Sequence, residues 1–134
     1  MNLFCMEEIE NALKVLKPKI REVRTVQEWS AEMGCSDPKY FARLFRRHFG
    51  VTCKEALIRV RVEKLFDCIQ KNPYQKNYCD AQEVGLPDEV ALNKYLRTHV
   101  GKNPTDFKRA VRTGEITKRT IWKNRLAKKG RKIY

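Results

Sequence analysis

Residues 34–50 read GCSDPKYFARLFRRHFG, and residues 85–101 read GLPDEVALNKYLRTHVG. Sliding the chain by 51 positions aligns Glu32–Gly50 with Glu83–Gly101 without a gap. Six of the nineteen positions are identical: Glu32/Glu83, Gly34/Gly85, Asp37/Asp88, Arg46/Arg97, His48/His99 and Gly50/Gly101. Background residue frequencies would give about one match. Conservative pairs add to these, among them Arg43/Lys94, Phe41/Leu92 and Phe45/Leu96. The chain therefore carries one supersecondary unit twice.

Each copy reads as a short helix, a tight turn at Gly34 or Gly85, and a longer helix. Thr25 followed by Glu28 is a capping box that opens a helix over Val26–Met33, with Gly34 closing it. Asp37-Pro38 supplies a cap and a first-turn proline for a helix that runs to Phe49 and stops at Gly50. The same signals predict a short helix over Tyr78–Val84 and a longer one over Asp88–Val100. Between the copies a helix is expected over Cys53–Lys71, with Leu57, Val60, Leu65 and Ile69 inward, until Asn72-Pro73 stops it. A helix over residues 3–17, ended by Pro18, precedes the first copy. One beginning at Asn103-Pro104 and running through Val111 follows the second. The expected fold is all-α: two homeodomain-like helix-turn-helix subdomains, 3–52 and 72–113, joined by a linker helix at 53–71 and followed by a basic tail at 114–134.

Helical periodicity separates reading faces from packing faces. At about 100° per residue with Lys39 at zero, Arg43 falls near +40°, Arg46 near −20° and Arg47 near +80°. Phe41, Leu44, Phe45 and His48 fall on the other side. In the second copy Val90, Asn93, Lys94 and Arg97 share one direction, and Leu92, Tyr95, Leu96 and His99 oppose it. His48 and His99 are accordingly expected as packing residues, and Trp29, Phe41 and Phe45 as core.

The whole chain of 134 residues has 29 Lys and Arg against 16 Asp and Glu, a formal charge of +13. Residues 114–134 account for +7 of it and the remainder for +6. A protein so basic, with a pI near 9.8, suits a polyanionic partner, nucleic acid before a membrane surface. Mean hydropathy of −0.64 and short apolar runs exclude a membrane span. The opening Met1–Glu8 turns acidic before a signal-peptide core forms, so secretion by that route is not expected. Five cysteines, at positions 5, 35, 53, 68 and 79, show no Cys-x-x-Cys spacing and no histidine close in sequence. They read first as small apolar side chains in a reducing cytoplasm, with a redox or metal sensor as the alternative. No nucleophile elbow, metal-ligand cluster or phosphate-cradling glycine loop is present, and no catalytic residue or cofactor is expected.

The run Tyr40-Phe41-Ala42-Arg43-Leu44-Phe45-Arg46-Arg47 before Gly50 resembles the AraC/XylS family pattern, Tyr-Phe-x-Arg-x-Phe-Lys-Lys ending in glycine. The second copy is similar to that family's second half, whose Gly-x-x-Pro-x-x-Phe/Tyr-Arg/Lys signature is matched by Gly101, Pro104, Phe107 and Lys108. Ile58-Arg59-Val60-Arg61-Val62 resembles the start of its linker helix. Ala91-Leu92 stands where the family has an aromatic pair, and Leu65 where it usually has alanine.

This resemblance implies a sequence-specific, double-stranded DNA-binding transcription regulator whose two recognition helices enter successive major grooves. It implies Lys39, Ala42 and Arg43 as base-reading residues of the first helix, with Arg43 suited to guanine N7 and O6. Glu89, Val90, Asn93 and Lys94 hold the reading positions of the second. Arg46, Arg47 and Arg97 suit phosphates, as do backbone amides near Thr25 and Asn77. In the tail, Lys118, Arg119, Lys123, Arg125, Lys128 and Lys129 form a candidate DNA arm. Ile121, Trp122 and Leu126 alternatively suit a helix docked on the body, and a solvated tail is the third reading. A stand-alone monomer in the bacterial cytoplasm at the nucleoid is expected, with RNA polymerase a further candidate partner. The competing function is a basic protein that binds nucleic acid without sequence preference.

Overall fold

A computed structural model describes residues 8–123. Its regular structure is helical: α1 Ala12–Leu16, α2 Val26–Glu32, α3 Pro38–Phe49, α4 Cys53–Lys71, α5 Asn77–Glu83, α6 Glu89–His99, α7 Pro104–Thr113 and α8 Lys118–Lys123. Among the described residues there is no strand, and no helix is long and apolar enough to cross a membrane.

The first helix departs from the sequence expectation. Residues 3–7 lie outside the described residues, and the rest is a 3₁₀ turn at Ile9–Asn11, the five-residue α1, and a second 3₁₀ turn at Lys17–Lys19. Pro18 lacks the N–H that would continue the α ladder, so the chain tightens into three-residue bonds instead of stopping. Ala12 and Leu16 still face inward, 0% and 1% exposed.

Elsewhere the local signals act where they stand. Thr25 and Glu28 form the reciprocal capping box of α2. Asp37 accepts from the amides of Lys39 and Tyr40 to open α3, and Asp88 accepts from Ala91 to open α6. At the turns, Gly34 and Gly85 have φ of 78° and 85°, left-handed values that favour a residue without a side chain. The Cys35 and Leu86 amides fold back there onto the Ser30 and Ala81 carbonyls, at 3.0 and 2.8 Å.

Chain contacts divide the molecule into two units, Met1–Val60 and Arg61–Tyr134, with α4 shared between them. In the first, Trp29 meets Phe41 and Phe45 edge-on, with centroids at 5.2 and 4.8 Å. Each such pair adds about 0.5–1.5 kcal/mol beyond its buried area. The indole Nε1 donates to the Ala12 carbonyl at 3.1 Å, tying α1 to α2. The second unit buries Leu92 and Leu96 of α6, Phe107, Ala110 and Val111 of α7, and, beyond α7, Ile116 and Ile121.

Two charged residues of the second unit are built into that interior. Arg61 is 7% exposed; its Nε donates to the Val84 carbonyl at 3.0 Å, and its guanidinium lies over the Tyr95 ring. Asp80 is fully buried, with Lys108 Nζ 3.0 Å from Oδ2 and Gln75 Nε2 donating to Oδ1 at 3.0 Å.

Candidate nucleic-acid interface

Helix α3 exposes a strongly basic face. Phe41 and Phe45 anchor it to Trp29, which turns Lys39, Arg43, Arg46 and Arg47 to solvent and leaves Ala42 half-buried. None of the four cations forms an ion pair among the described residues. Uncompensated cations have no internal partner to surrender before meeting an anion. Lys39, Ala42, Arg43 and Arg46, with Thr52 and Cys53, line an open cleft of about 360 Å³. Thr52 Oγ1 accepts from the Glu55 amide at 3.1 Å and so fixes where α4 begins beside them.

The equivalent face of α6 is less charged. Val90 is 71% exposed, Lys94 and Arg97 are exposed, and Asn93 is half-buried. Arg97 Nε donates to Asn93 Oδ1 at 3.1 Å, an i,i+4 bond along the helix. Glu89, Val90, Asn93 and Arg97 line a second cleft of about 390 Å³ with Asn77, Asn103 and Pro104. Lys94 is on the same helix but not among that cleft's lining residues.

Several sequence expectations need correction. His48 does not pack inward: it is exposed and touches Phe49 edge-on at 4.6 Å. In the last turn of α3 it is Phe49, half-buried and stacked on Phe45 at 4.4 Å, that extends the aromatic cluster, so the helical angle of His48 alone misleads. His99 does lie partly covered, with its ring 4.5 Å from Tyr95. At the start of α2 the amides of Thr25 and Glu28 are taken up by the capping box. By contrast, the start of α5 has no side-chain cap.

Sequence reasoning passed over Tyr40, which stands 42% exposed beside Lys39. Its position one residue along from Lys39 already put it at the margin of the basic face. The formal charge of the chain also includes Arg59, Arg61 and Lys108. All three are held by the protein: Arg59 by Glu55 at 3.4 Å, the other two by the interior contacts described above.

The basic tail divides at its middle. Lys118–Lys123 form α8, with Ile116 and Ile121 fully buried and Trp122 Nε1 donating to Glu63 Oε2 at 3.0 Å. Residues 118–123 thus take the docked-helix form. Lys118 lies 3.0 Å from Asp67, whose hydrogen bond and charge raise the ammonium above its usual range. Arg119 is exposed, and Lys123 ends the helix. Arg125, Lys128 and Lys129 lie outside the described residues.

Burial pushes the Cys53 thiol up to about 12, and burial with Glu83 nearby raises Cys68. Among the described residues no group of His, Cys, Asp and Glu is placed to hold a metal ion.

No family model and no curated protein matches this sequence. Solved structures do match its fold. The DNA-binding domain of the global transcriptional factor AdpA, crystallised in complex with a target DNA, superposes with a TM-score of 0.64 at 20% identity. That match covers 81% of this chain and 96% of the AdpA domain. A Chromobacterium violaceum transcriptional regulator with an AraC-type DNA-binding domain gives a TM-score of 0.63 at 14% identity, over 77% of this chain and 90% of the other. The chain thus has the fold of AraC-type DNA-binding domains.

Proposed function

We propose that this protein is a sequence-specific, double-stranded DNA-binding transcription regulator. It reads with two helices, α3 and α6, each presented to a major groove. One observation carries the reading: the duplicated helices each expose a polar or basic face, and the α3 cations have no ion-pair partner among the described residues. The DNA complex of the AdpA domain supports the same assignment.

Arg43 is the principal base contact, its planar fork matched to guanine N7 and O6, with Lys39 and Ala42 beside it. Arg46 and Arg47, further round the face, meet phosphates. On α6, Val90 offers an apolar surface to a thymine methyl, and Asn93 and Lys94 offer hydrogen bonds to base edges. Glu89 is placed either to accept from cytosine N4 or to favour the positive end of the α6 dipole. Arg97 stands one turn beyond Asn93. Both reading helices belong to one polypeptide, so a single chain occupies a non-palindromic site as a monomer. The protein acts without catalysis or cofactor, in the bacterial cytoplasm at the nucleoid, with RNA polymerase as its further partner.

Selection of binding sites from random duplexes tests this. The expected product is two short motifs about one helical turn apart, centre to centre. Equal competition by unrelated duplex DNA would instead mark a basic protein without sequence preference.

A further inference from the structure

The repeat supplies an internal comparison for the second reading helix. Arg46 on α3 and Arg97 on α6 are equivalent under the 51-residue shift, and both are exposed. Their neighbours one turn back differ: Ala42 stands where α6 has Asn93. Arg46 therefore has no amide to hold. Arg97 does, and its Nε donates to Asn93 Oδ1 at 3.1 Å.

An amide held in this way presents a different edge. A free asparagine pairs with adenine by accepting from N6 and donating to N7. With Arg97 on Oδ1, one of that oxygen's two lone pairs is taken and the amide is turned along the helix toward Arg97. What α6 then offers outward is donors: the two Nδ2 hydrogens, and the terminal guanidinium N–H groups that Nε leaves unused. Guanine shows two acceptors in the major groove, N7 and O6, and complements that donor-rich edge; the adenine amino group, a donor, finds there only the remaining lone pair of Oδ1. In water such an exposed bond exchanges with solvent. A groove that excludes water lowers the local dielectric and strengthens it at the moment of reading.

We propose that Arg97 is a positioning residue for base reading: by holding Asn93 Oδ1 it makes the second reading helix select guanine, not adenine. The inference rests on the DNA-reading function proposed above and assigns the base at one position of the second half-site.

The test is site selection with the full chain as wild type, Arg97→Lys, Arg97→Ala and Asn93→Ala. In the wild type, one position of the second half-site favours guanine over adenine by about tenfold, the scale of a good bidentate contact. Arg97→Lys keeps the charge and loses Nε. It is expected to pass that preference to adenine or erase it, leaving the first half-site and the salt dependence as they were. Arg97→Ala and Asn93→Ala lose the same preference. Ala42→Asn, which places an amide one turn before Arg46, is expected to create a new guanine preference in the first half-site.

The proposal is overturned if Arg97→Ala, which removes every donor to Oδ1 at that position, leaves every base preference intact. Arg97→Ala weakening all sequences equally and lowering the salt slope by about one would also overturn it, marking a phosphate contact. Adenine at that position in the wild-type selection has the same effect. A wild type with no preference anywhere defeats the DNA-reading function itself, which is a different result from all of these.

Discussion

Lys108 Nζ lies 3.0 Å from Asp80 Oδ2, inside the second unit, at the place where the first copy of the repeat puts Trp29. Both Trp29 and Asp80 are 0% exposed. One copy closes its core with an indole wedged between two phenylalanines. The other closes it with a carboxylate that needs a cation from α7 and an amide from Gln75. Lys108 also donates to the Gln75 carbonyl at 2.7 Å, so the α4–α5 connection and α7 are joined through one ammonium.

The two solutions differ in how they fail. Removing one member of a buried pair leaves an uncompensated charge, which costs about 3–5 kcal/mol, whereas replacing both with apolar groups is often neutral. Lys108→Met is therefore expected to lower stability by that amount in urea unfolding. Asp80→Leu combined with Lys108→Met is expected to recover most of it. A double variant as unstable as the single one would mean that the pair is not the source of the loss.

Helix α8 makes a second stability prediction, with a contrast inside it. Ile121 is fully buried, so Ile121→Ala is expected to cost about 2–5 kcal/mol through lost burial and the cavity left behind. Lys118 and Asp67 form a pair with both side chains about half exposed, and Lys118→Ala is expected to cost no more than about 1 kcal/mol. Thermal melts of the two variants check the order. Equal losses would mean that α8 is held by charge and not by its apolar side.

What could be read in the sequence was the local chemistry. Thr25 with Glu28, Asp37, Asp88 and the turn glycines act on residues two to five positions away, so their effect is written next to them. The repeat carried the architecture for the same reason, since two copies of one pattern predict two copies of one unit. His48 failed because a helical angle says which side a residue faces but not which of two adjacent rings the core takes up, here Phe49. Arg61, Asp80 and Lys108 were illegible because their partners are 23 to 34 positions away or depend on the packing of α7. The hydrogen bond between Arg97 and Asn93 spans only four residues, yet the charge of Arg97 drew attention to phosphates before its neighbour.

Cysteine reactivity gives a prediction with a pH sign. Burial pushes the Cys53 thiol up to about 12, whereas Cys79 is exposed. The thiolate is the nucleophile, so alkylation of the folded protein at pH 8 is expected to label Cys79 and spare Cys53. Because the folded value is the higher one, this group's contribution to stability is complete below the unfolded value, near 9. It is lost as pH rises from there toward 12. Peptide mapping after brief alkylation decides the first point; rapid labelling of Cys53 at pH 8 would contradict its burial.

The two reading helices are expected to contribute unequally to affinity. Arg43 brings a full charge and a bidentate fork, while Asn93 is neutral and already engaged by Arg97. In a binding titration on the selected site, Arg43→Ala is expected to lose about tenfold to a hundredfold, and Asn93→Ala clearly less. Equal losses would place the two helices on the same footing and remove the asymmetry drawn from their charge.

The second half of the tail offers a clean cut that a longer deletion does not. Truncation from Glu115 would take Ile116 and Ile121 out of the second unit's core, and any loss of DNA binding would then be confounded with unfolding. Truncation after Lys123 keeps both isoleucines and the Trp122–Glu63 bond, and removes Arg125, Lys128, Lys129, Arg131 and Lys132. Each phosphate neutralised adds about 0.9 to the slope of log affinity against log salt. If these five cations act as a DNA arm, the truncated protein loses about two to four units of that slope while the bases it selects stay the same. An unchanged slope would leave α3 and α6 as the source of the electrostatic affinity and reduce the tail to a solvated extension.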